Sequence, residues 1–402
     1  MSGRAIDSTE PQAPELKMKI LIYQPSNLTR HSGSPIHGIN VARALAKLGN
    51  QIEMAGIIDT PTFPEITWHT LPKARPLELK PWKLLSFLRH AIALKRLVST
   101  VKPDLIYIQT HGGLVLGIAI GKLTGVPVVA DIHEAPFSSG RNATPVRMVV
   151  RNFRTRIYSK CIASCLGVTV SNRRLGKTLA AVQRNIYVFP GGANTETFHP
   201  RVPLAEEIQS IRKESGILVA YVGNFRFYQG LDLLIEAASE LARRQNGGFK
   251  FLLVGGNDPD ILNLRKTLDT KGLGDSFELL GRRAYDIIPS YIAAADILTV
   301  PRRRMPITEN AFPCKLAEYM SMGKAIVVTD VGDHAEMVSH LETGLLVEPN
   351  PSALADAFLA LEDSEMRNRL GKAAREYAVN SLSWDKLCLK LQQLFENWLQ
   401  VK

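Results

Sequence analysis

Residues 221–232 read Tyr-Val-Gly-Asn-Phe-Arg-Phe-Tyr-Gln-Gly-Leu-Asp, an apolar run that ends in a polar turn bounded by two glycines. The apolar positions that follow recur at the spacing of one helix face: Leu231, Leu234, Ile235, Ala238 and Leu241. A buried strand, a glycine turn and an amphipathic helix form the repeating unit of parallel α/β sheets, whose ligands bind at the carboxyl ends of the strands. The stretch therefore predicts an α/β domain with a binding turn between residues 223 and 230.

The same unit recurs along the chain in two series of strand candidates. The first series is Lys19–Gln24, Gln51–Ile58, Leu105–Gln109, Val126–Ile132, Gly167–Ser171 and Ile186–Phe189. The second series is Leu218–Gly223, Phe249–Val254, Phe277–Leu280, Ile297–Val300 and Ala325–Thr329. Two series predict two Rossmann-like, doubly wound parallel-sheet domains that face each other across a cleft.

The two series are separated by Pro190-Gly191-Gly192 and by a polar stretch that runs to Ser215. We expect a disordered leader at residues 1–17, an N-terminal domain at 18–195 and a linker at 196–215. A C-terminal domain at 216–382 and a C-terminal helix at 383–402, packed back toward the first domain, complete the predicted organisation.

The composition is that of a globular protein, with 45% hydrophobic residues. No segment reaches the ~18–20 unbroken apolar residues of a membrane span. The four cysteines are too few and too scattered for a disulfide framework, which favours reduced thiols and a cytoplasmic protein.

The net charge of +11 is unevenly distributed, with +14 in residues 1–200 and −3 in residues 201–402. Basic and apolar residues alternate in the acid-free run Arg141–Lys160 and in Trp82–Val101. Such a pattern is typical of helices that lie on an anionic membrane surface, although two solvated helices packed by one face would produce it equally well. No aromatic-rich basic platform or helix-turn-helix pattern supports nucleic-acid binding.

Three further features point to a phosphate- and sugar-binding cleft. Gly33 follows the first strand and precedes a helix expected at 36–48, so backbone N–H groups can approach a phosphate there. Lys315 lies in the first turn of another helix, with Glu318 three residues on; the pair can hold a diphosphate and sugar hydroxyls, or form an ordinary surface ion pair. His133 ends a buried strand and is either an active-site residue or a structural hydrogen bonder.

Four segments, in order, resemble glycosyltransferase family 4, over roughly Met18 to Trp398. They are Ala42–Gly49, Asp131–Glu134, Phe189–Pro200 and Tyr319–Val327. The resemblance implies the GT-B fold and transfer of a sugar, with retention of configuration and without a metal or other cofactor. It implies a nucleotide-sugar donor, a UDP-sugar or GDP-mannose, and an acceptor that is a sugar, a glycan or a lipid-linked glycan at an anionic membrane surface.

The resemblance also assigns roles to individual residues. His133 and Glu318 are the expected catalytic residues. The expected donor-binding residues are Gly33, Asn224, Arg226, Gln229, Arg283, Asn310, Ala311, Phe312, Lys315 and Leu316. Asp258-Pro259-Asp260 imitates a metal-binding D-x-D but is interpreted as the capped start of a helix.

Three positions depart from the family pattern. Asn224 and Gln229 stand where the family has an arginine and a lysine, and Asn310 stands where it has the first of two glutamates. We expect Arg226, Lys315 and the run Arg302–Arg304 to replace the lost charge. The alternatives are a catalytically silent nucleotide-sugar-binding subunit and a nucleotide-sugar epimerase of the same fold.

Overall fold

The computed structural model describes residues 17–28, 33–58, 63–73, 81–109, 111–133, 145–244, 248–310 and 313–400. Side chains are described within these ranges except at 33–34, 81–84, 111, 145–151, 310 and 314. Residues 1–16 of the leader predicted at 1–17 lie outside the described residues, as do Glu134, Arg141, Ala311 and Phe312.

The first domain is a seven-stranded parallel sheet with strand order β3-β2-β1-β4-β5-β6-β7. Its strands are β1 Lys19–Asn27, β2 Gln51–Ile57, β3 Thr67–Thr70, β4 Leu105–Gln109, β5 Val128–Ile132, β6 Gly167–Val170 and β7 Ile186–Val188. Its helices are α1 Gly33–Lys47, α2 Pro81–Val101, α3 His111–Thr124, α4 Pro145–Ala163 and α5 Arg173–Leu179.

The second domain is a six-stranded parallel sheet with order β10-β9-β8-β11-β12-β13. Its strands are β8 Ile217–Gly223, β9 Phe249–Gly255, β10 Phe277–Leu280, β11 Ile297–Val300, β12 Ala325–Thr329 and β13 Leu345–Val347. The remaining helices are α6 Glu206–Glu214, α7 Leu231–Arg243, α8 Asp258–Thr270, α9 Ile288–Ala293, α10 Cys314–Ser321, α11 His334–Met337, α12 Pro351–Ala360, α13 Ser364–Tyr377 and α14 Trp384–Gln400.

This architecture confirms the predicted fold class of two doubly wound parallel α/β sheets. In each sheet the chain reverses its direction of travel at the first strand: β1 lies between β2 and β4, and β8 lies between β9 and β11. Crevices for ligands form at the carboxyl ends of strands at such switch points. The ends of β1 and β8 are therefore the two places where the fold itself prepares a binding site.

Two edge strands and one helix were not predicted from the sequence. β3 has four residues, of sequence Thr-Trp-His-Thr, none of them buried; β13 is an apolar run of only three residues, too short to indicate a strand by itself. The stretch 196–215, expected as a linker, contains α6. Its Ile208 is buried in the core of the second domain while most of its other side chains are polar, so the helix reads as a solvated segment.

Helix α14 crosses back to the first domain after the second domain is complete. Leu387, Cys388, Leu391 and Phe395 are buried in the same apolar cluster as Ile20 of β1. The crossing is fixed by backbone hydrogen bonds of Ala193, whose N–H donates to Leu382 at 2.9 Å and whose carbonyl accepts from Trp384 at 3.2 Å. In the described part of the chain, no helix is both long and apolar enough to span a bilayer.

Candidate active site

The carboxyl edges of the two sheets meet at the interdomain cleft. Residues 171–174 follow strand β6 of the first domain, and the Arg174 guanidinium lies 3.3 Å from the Glu309 carboxylate in the loop before α10. Arg173 lies 3.6 Å from Glu336 of α11. These contacts place the end of β6 opposite the segment that enters α10, so both walls of the predicted cleft are built from strand ends.

His133 lies on the wall of the first domain, directly after strand β5. Its Nε2 is 2.9 Å from Oδ2 of Asp131, and Nε2 of His37, from α1, is 3.0 Å from the same oxygen. The other carboxylate oxygen accepts a hydrogen bond of 2.8 Å from the Thr169 hydroxyl on β6. Three donors from three elements therefore converge on one buried carboxylate.

The charge state of this cluster follows from its contacts. Burial alone would raise the pKa of Asp131, but the charges and hydrogen bonds of His133 and His37 outweigh it and hold this pKa well below its usual range. Burial, with repulsion from His133, lowers the pKa of His37 despite the opposing effect of Asp131. The cluster thus contains an ionised carboxylate and a neutral His37 at physiological pH.

The cluster also has the residue types of a metal site. Potential ligand atoms of His37, Asp131 and His133 lie within 4.8 Å of one another. However, each imidazole nitrogen is at N–H···O distance from one shared oxygen, whereas ligands of a tetrahedral zinc ion at ~2.0–2.1 Å would be separated by roughly 3.3 Å. We therefore interpret the three residues as a hydrogen-bonded cluster, and the absence of a catalytic metal stays a prediction.

Lys315 lies on the opposite wall, at the end of strand β8. A Cβ atom on Gly223 would lie 2.3 Å from its Nζ, so the ammonium sits directly over this glycine, whose φ is +153°. Nζ donates to the Tyr221 hydroxyl at 2.8 Å and lies 4.0 Å from the centre of that ring. The ammonium is thus held at the switch point of the second sheet.

Glu318 lies one turn further along α10. Its Oε1 accepts a hydrogen bond of 2.5 Å from the Tyr285 hydroxyl. Burial raises the pKa of Glu318 to about 7, against the opposing effects of the Tyr285 hydrogen bond and the Lys315 charge. A carboxyl group with such a pKa exists in both protonation states near neutral pH.

The turn after β8 has an amide pair where the family pattern has two cations. The Gln229 side-chain amide donates to Oδ1 of Asn224 at 3.3 Å. Gln229 is buried, and among the described residues its Oε1 has no hydrogen-bond partner. Gly230 is required beside it, because its φ is +76° and a Cβ would lie 1.7 Å from the carbonyl oxygen of Pro301. The turn is thus shaped by uncharged amides and by close backbone packing.

The arginines expected to replace the lost charge differ in their surroundings. Arg303 lies 2.7 Å from Asp232, and Arg304 lies 3.7 Å from Asp330 and 4.0 Å from Glu309. Arg302 is buried. Within the part of the chain that the structure describes, the exposed Arg226 side chain forms no ion pair.

The positions of the remaining predicted donor-binding residues give less support for a role in donor binding. Arg283 binds the carboxylate of Glu207 and, at 2.9 Å, the Tyr291 hydroxyl. The Leu316 side chain is fully buried in the core beneath α10. Gly33 begins α1 and Asn310 immediately precedes the undescribed residues 311–312, but the side chain of Asn310 is not among those described. The structure therefore brings together Lys315, Glu318 and the 223–230 turn, and places His133 on the facing domain.

Two residues of the cleft escaped the sequence analysis. His37 is separated from Asp131 by 94 positions, and Tyr285 from Glu318 by 33. His37 follows Gly33 by one helical turn, and this spacing is the one signal that could have placed it near the strand ends. Tyr285 follows no recognisable motif.

Two family models match the chain in tandem. Residues 31–197 match the model described as Glycosyltransferase Family 4, and residues 205–377 match Glycosyl transferases group 1. An uncharacterized glycosyltransferase of Methanocaldococcus jannaschii is 29% identical over 178 residues, covering 44% of this chain and 47% of the relative. The 2-deoxystreptamine glucosyltransferase of Streptomyces kanamyceticus is 24% identical over 340 residues, covering 78% and 85%. The first of these alignments thus spans about half of the relative's length.

Solved structures share the fold at lower sequence identity. Sucrose-phosphate synthase from Thermosynechococcus elongatus has a TM-score of 0.74 at 21% identity, covering 96% of this chain and 100% of that one. The HepE protein of Anabaena in complex with UDP-glucose has a TM-score of 0.69 at 17% identity, covering 95% and 100%.

The paired sheets, the cleft between their carboxyl edges and these comparisons define a class, the glycosyltransferases with the GT-B fold. Each of the two family models matches one half of the chain. Within this class, the chain belongs to glycosyltransferase family 4.

Proposed function

We propose that the protein transfers a sugar, with retention of configuration and without a metal, from a nucleoside-diphosphate donor held by the second domain. The position of Lys315 over Gly223 carries this proposal, because a diphosphate at the end of β8 would meet an ammonium and the open backbone of a glycine together. Such donors bind proteins of the same fold, since HepE was solved with UDP and UDP-glucose. A relative from Mycobacterium tuberculosis, 27% identical over 207 residues, is named a GDP-mannose-dependent mannosyltransferase.

The donor proposal is tested by nucleotide binding. Isothermal titration with UDP and GDP, and with the corresponding nucleosides, separates diphosphate recognition from base recognition. Lys315→Ala should raise the dissociation constant of the preferred diphosphate at least about tenfold, because a charge-assisted hydrogen bond contributes about 1.5–3 kcal/mol. Lys271→Ala, an exposed lysine next to α8, is the matched control and should bind as the unaltered protein does. Equal affinity for diphosphate in both variants would reject this donor site.

We further propose that the acceptor is presented at an anionic membrane surface. Helices α2, α3 and α4 contact one another in sequence along the first domain. Exposed apolar side chains are found on all three, including Ile92 at 52%, Leu123 at 71% and Phe153 at 65%. Exposed basic residues accompany them, namely Arg89, Lys95, Arg96, Arg154, Arg156 and Lys160. Apolar and basic groups on one face are what a helical surface needs to bind anionic lipid.

Vesicle sedimentation tests this surface. The protein should pellet with vesicles of mixed phosphatidylcholine and phosphatidylglycerol but not with phosphatidylcholine alone, and binding should weaken as salt rises. Reversal of Arg154, Arg156 and Lys160 to Glu should abolish pelleting. The same reversal of Arg265, Lys266 and Lys271, which are exposed on the second domain, is the matched control and should preserve it. No pelleting at low salt would reject the proposal that this face binds an anionic membrane.

A further inference from the structure

The two domains meet in a polar contact between the corner that follows β6 and the loops that follow β11 and β12. The first domain contributes an amide and two cations at the start of α5, and the second domain contributes three carboxyl groups: Asn172, Arg173, Arg174, Glu309, Asp333 and Glu336. Of the three carboxyl residues, Asp333 alone is buried, with 7% of its surface exposed. Domains of one chain that meet through polar groups usually move relative to each other. We therefore expect this contact to open and close.

The carboxyl group of Asp333 lies between charged groups of both domains. The Asn172 side chain of the first domain hydrogen bonds to it, and the charge of Arg174 attracts it from the same domain. Within the second domain, Glu336 repels it and Arg302 attracts it. Among the residues that the structure describes, Oδ2 of Asp333 is buried without a hydrogen-bond partner. An ionised carboxylate in this contact is therefore incompletely paired, which is costly in a buried position.

These surroundings favour the protonated form of Asp333. Burial, with repulsion from Glu336, raises the pKa of Asp333 from 3.8 to about 6, against the opposing effects of Asn172, Arg302 and Arg174. Separation of the domains would let water reach the carboxyl, so its pKa would fall back toward 3.8. The closed arrangement consequently binds a proton more tightly than an open one. Closure is then favoured as pH falls through about 6 and opposed above it.

We propose that the contact between Asn172 and Asp333 is a pH-sensitive switch, which holds the interdomain cleft closed when Asp333 carries a proton and favours opening when Asp333 is ionised. Neither the sequence resemblance nor the comparisons assign a role to these two residues. At neutral pH the ionised carboxyl opposes closing before a ligand binds, so the cleft stays accessible to donor and acceptor. This consequence rests on the proposed function, whereas the switch itself is a property of the ligand-free protein.

Other ionisable groups of the second wall differ from Asp333 in their response to pH. His334, which follows Asp333, stays neutral because burial lowers its pKa to about 3. Glu318 has a pKa of about 7, but Tyr285 and Lys315, the groups that oppose this shift, belong to the second domain. Ionisation of Glu318 therefore alters contacts within one domain. A change in domain closure near pH 6 that disappears when Asp333 is replaced can be assigned to Asp333.

The two pKa values determine the size of the effect. With a pKa of about 6 in the closed form and 3.8 in the open form, the ratio of closed to open molecules should rise about tenfold between pH 7.5 and pH 5. Small-angle X-ray scattering of the ligand-free protein measures closure as a smaller radius of gyration. Carboxyl ¹³C spectroscopy of aspartate-labelled protein measures the titration of Asp333, whose signal is identified by its loss in Asp333→Asn.

Asp333→Asn removes the ionisation and keeps the size of the side chain. This variant should be as compact at pH 7.5 as the unaltered protein is at pH 5, and its radius of gyration should not respond to pH in this range. Asp356→Asn is the matched control, because it removes an exposed carboxyl of the second domain that pairs with Arg244 of the same domain. The control should keep the full pH response of the unaltered protein.

Asn172→Asp tests the side of the first domain. The new carboxylate can still accept the hydrogen bond that the Leu175 N–H donates to Asn172 at 2.7 Å, so the start of α5 is preserved. It faces Asp333 with a like charge, so the variant should be less compact than the unaltered protein at pH 7.5. An unchanged radius of gyration in Asn172→Asp would show that Asn172 takes no part in the switch.

Two results would overturn the inference as a whole. One is a radius of gyration that does not change with pH in the unaltered protein, and the other is an equal pH response in Asp333→Asn and Asp356→Asn. Both are separate from a failure of the proposed function. If the protein transfers no sugar from any donor, the proposed function fails while scattering still decides the switch. If sugar is transferred and the pH response is absent, the switch is wrong and the proposed function stands.

Discussion

Asp131 and Glu318 are carboxyl groups on opposite walls of one cleft, and their environments shift the two pKa values in opposite directions. Asp131 receives three hydrogen bonds, from the buried His37 and Thr169 and from the partly exposed His133, and its pKa is well below the usual range. Among the residues that the structure describes, Glu318 accepts one such hydrogen bond, from Tyr285, and its pKa is raised to about 7. Both carboxyls lose hydration, so the number of donors and positive partners decides the sign of each shift.

The difference between the two carboxyl groups indicates different roles for the two walls of the cleft. The wall of the first domain is complete before any ligand binds, because its carboxylate is already ionised and saturated. The wall of the second domain is incomplete, because a ligand that brings hydroxyl donors would stabilise the ionised form of Glu318. We expect the first wall to set geometry and the second to respond to the donor and to pH.

The largest effect should follow from removing the charge of Glu318. Glu318→Gln keeps the size and the acceptor oxygen but cannot ionise, so hydrogen bonds from sugar hydroxyls lose their charge assistance. Charge-assisted hydrogen bonds contribute about 1.5–3 kcal/mol, so their loss should lower kcat/KM about 10- to 100-fold. Steady-state kinetics at pH 8 measure this change. Glu342→Gln, which changes an exposed carboxyl of the same domain, is the control. Equal values of kcat/KM for the two variants would show that Glu318 does not belong to the site.

The pH dependence of donor affinity should show the next largest effect. Ionisation of Glu318 provides a better acceptor for hydroxyls, so the dissociation constant of the nucleotide sugar should fall as pH rises through about 7. The Tyr285 hydrogen bond lowers this pKa, so Tyr285→Phe should move the midpoint to higher pH, by about half a unit to one unit.

Titration calorimetry between pH 5.5 and 8.5 measures this midpoint. Tyr377→Phe, on α13 of the same domain, is the matched control and should leave the midpoint unchanged. A pH-independent affinity in the unaltered protein would show that Glu318 does not titrate in this range.

The interdomain ion pair should contribute less. Arg174 and Glu309 are 3.3 Å apart but have side chains 59% and 28% exposed, and pairs of this kind contribute about 0–1 kcal/mol. A double-mutant cycle of Arg174→Ala and Glu309→Ala, followed by denaturant unfolding, should therefore give a coupling energy below about 1 kcal/mol. A coupling of several kcal/mol would mean that the two walls are locked rather than free to close on the donor.

Removal of metal ions is expected to have the smallest effect, because it should leave the rate of sugar transfer unchanged. Because we interpret the His37–Asp131–His133 cluster as hydrogen-bonded, excess EDTA should leave the transfer rate within about twofold. Mg²⁺, Mn²⁺ or Zn²⁺ added after EDTA should not raise it. A metal-specific recovery of activity would contradict this comparison, since the His37–Asp131–His133 cluster of the first domain would then need a metal ion to be complete.

The sequence predicted those parts of the site that lie within one strand–turn–helix unit. Asp131 and His133 are two residues apart on one strand end, and Lys315 and Glu318 share one helix, so local spacing places each pair. His37 and Tyr285 reach the site from other elements, and no local pattern states which helix face or loop will meet a given strand end. The edge strands β3 and β13 were missed for a related reason, because short, half-exposed strands are defined by their neighbour and not by their own residues.

The return of α14 to the first domain has a consequence for how the protein is made. The core of that domain includes Trp384, Leu387, Cys388, Leu391 and Phe395, which the ribosome adds only after the entire second domain. Translation adds ~5–20 residues per second, so one face of the first sheet would stay uncovered for roughly 10 to 40 s while the second domain is synthesised. Domains usually mature in the order of their synthesis, but here the first domain is finished last. During that interval the exposed face of the nascent sheet is the natural target for a chaperone.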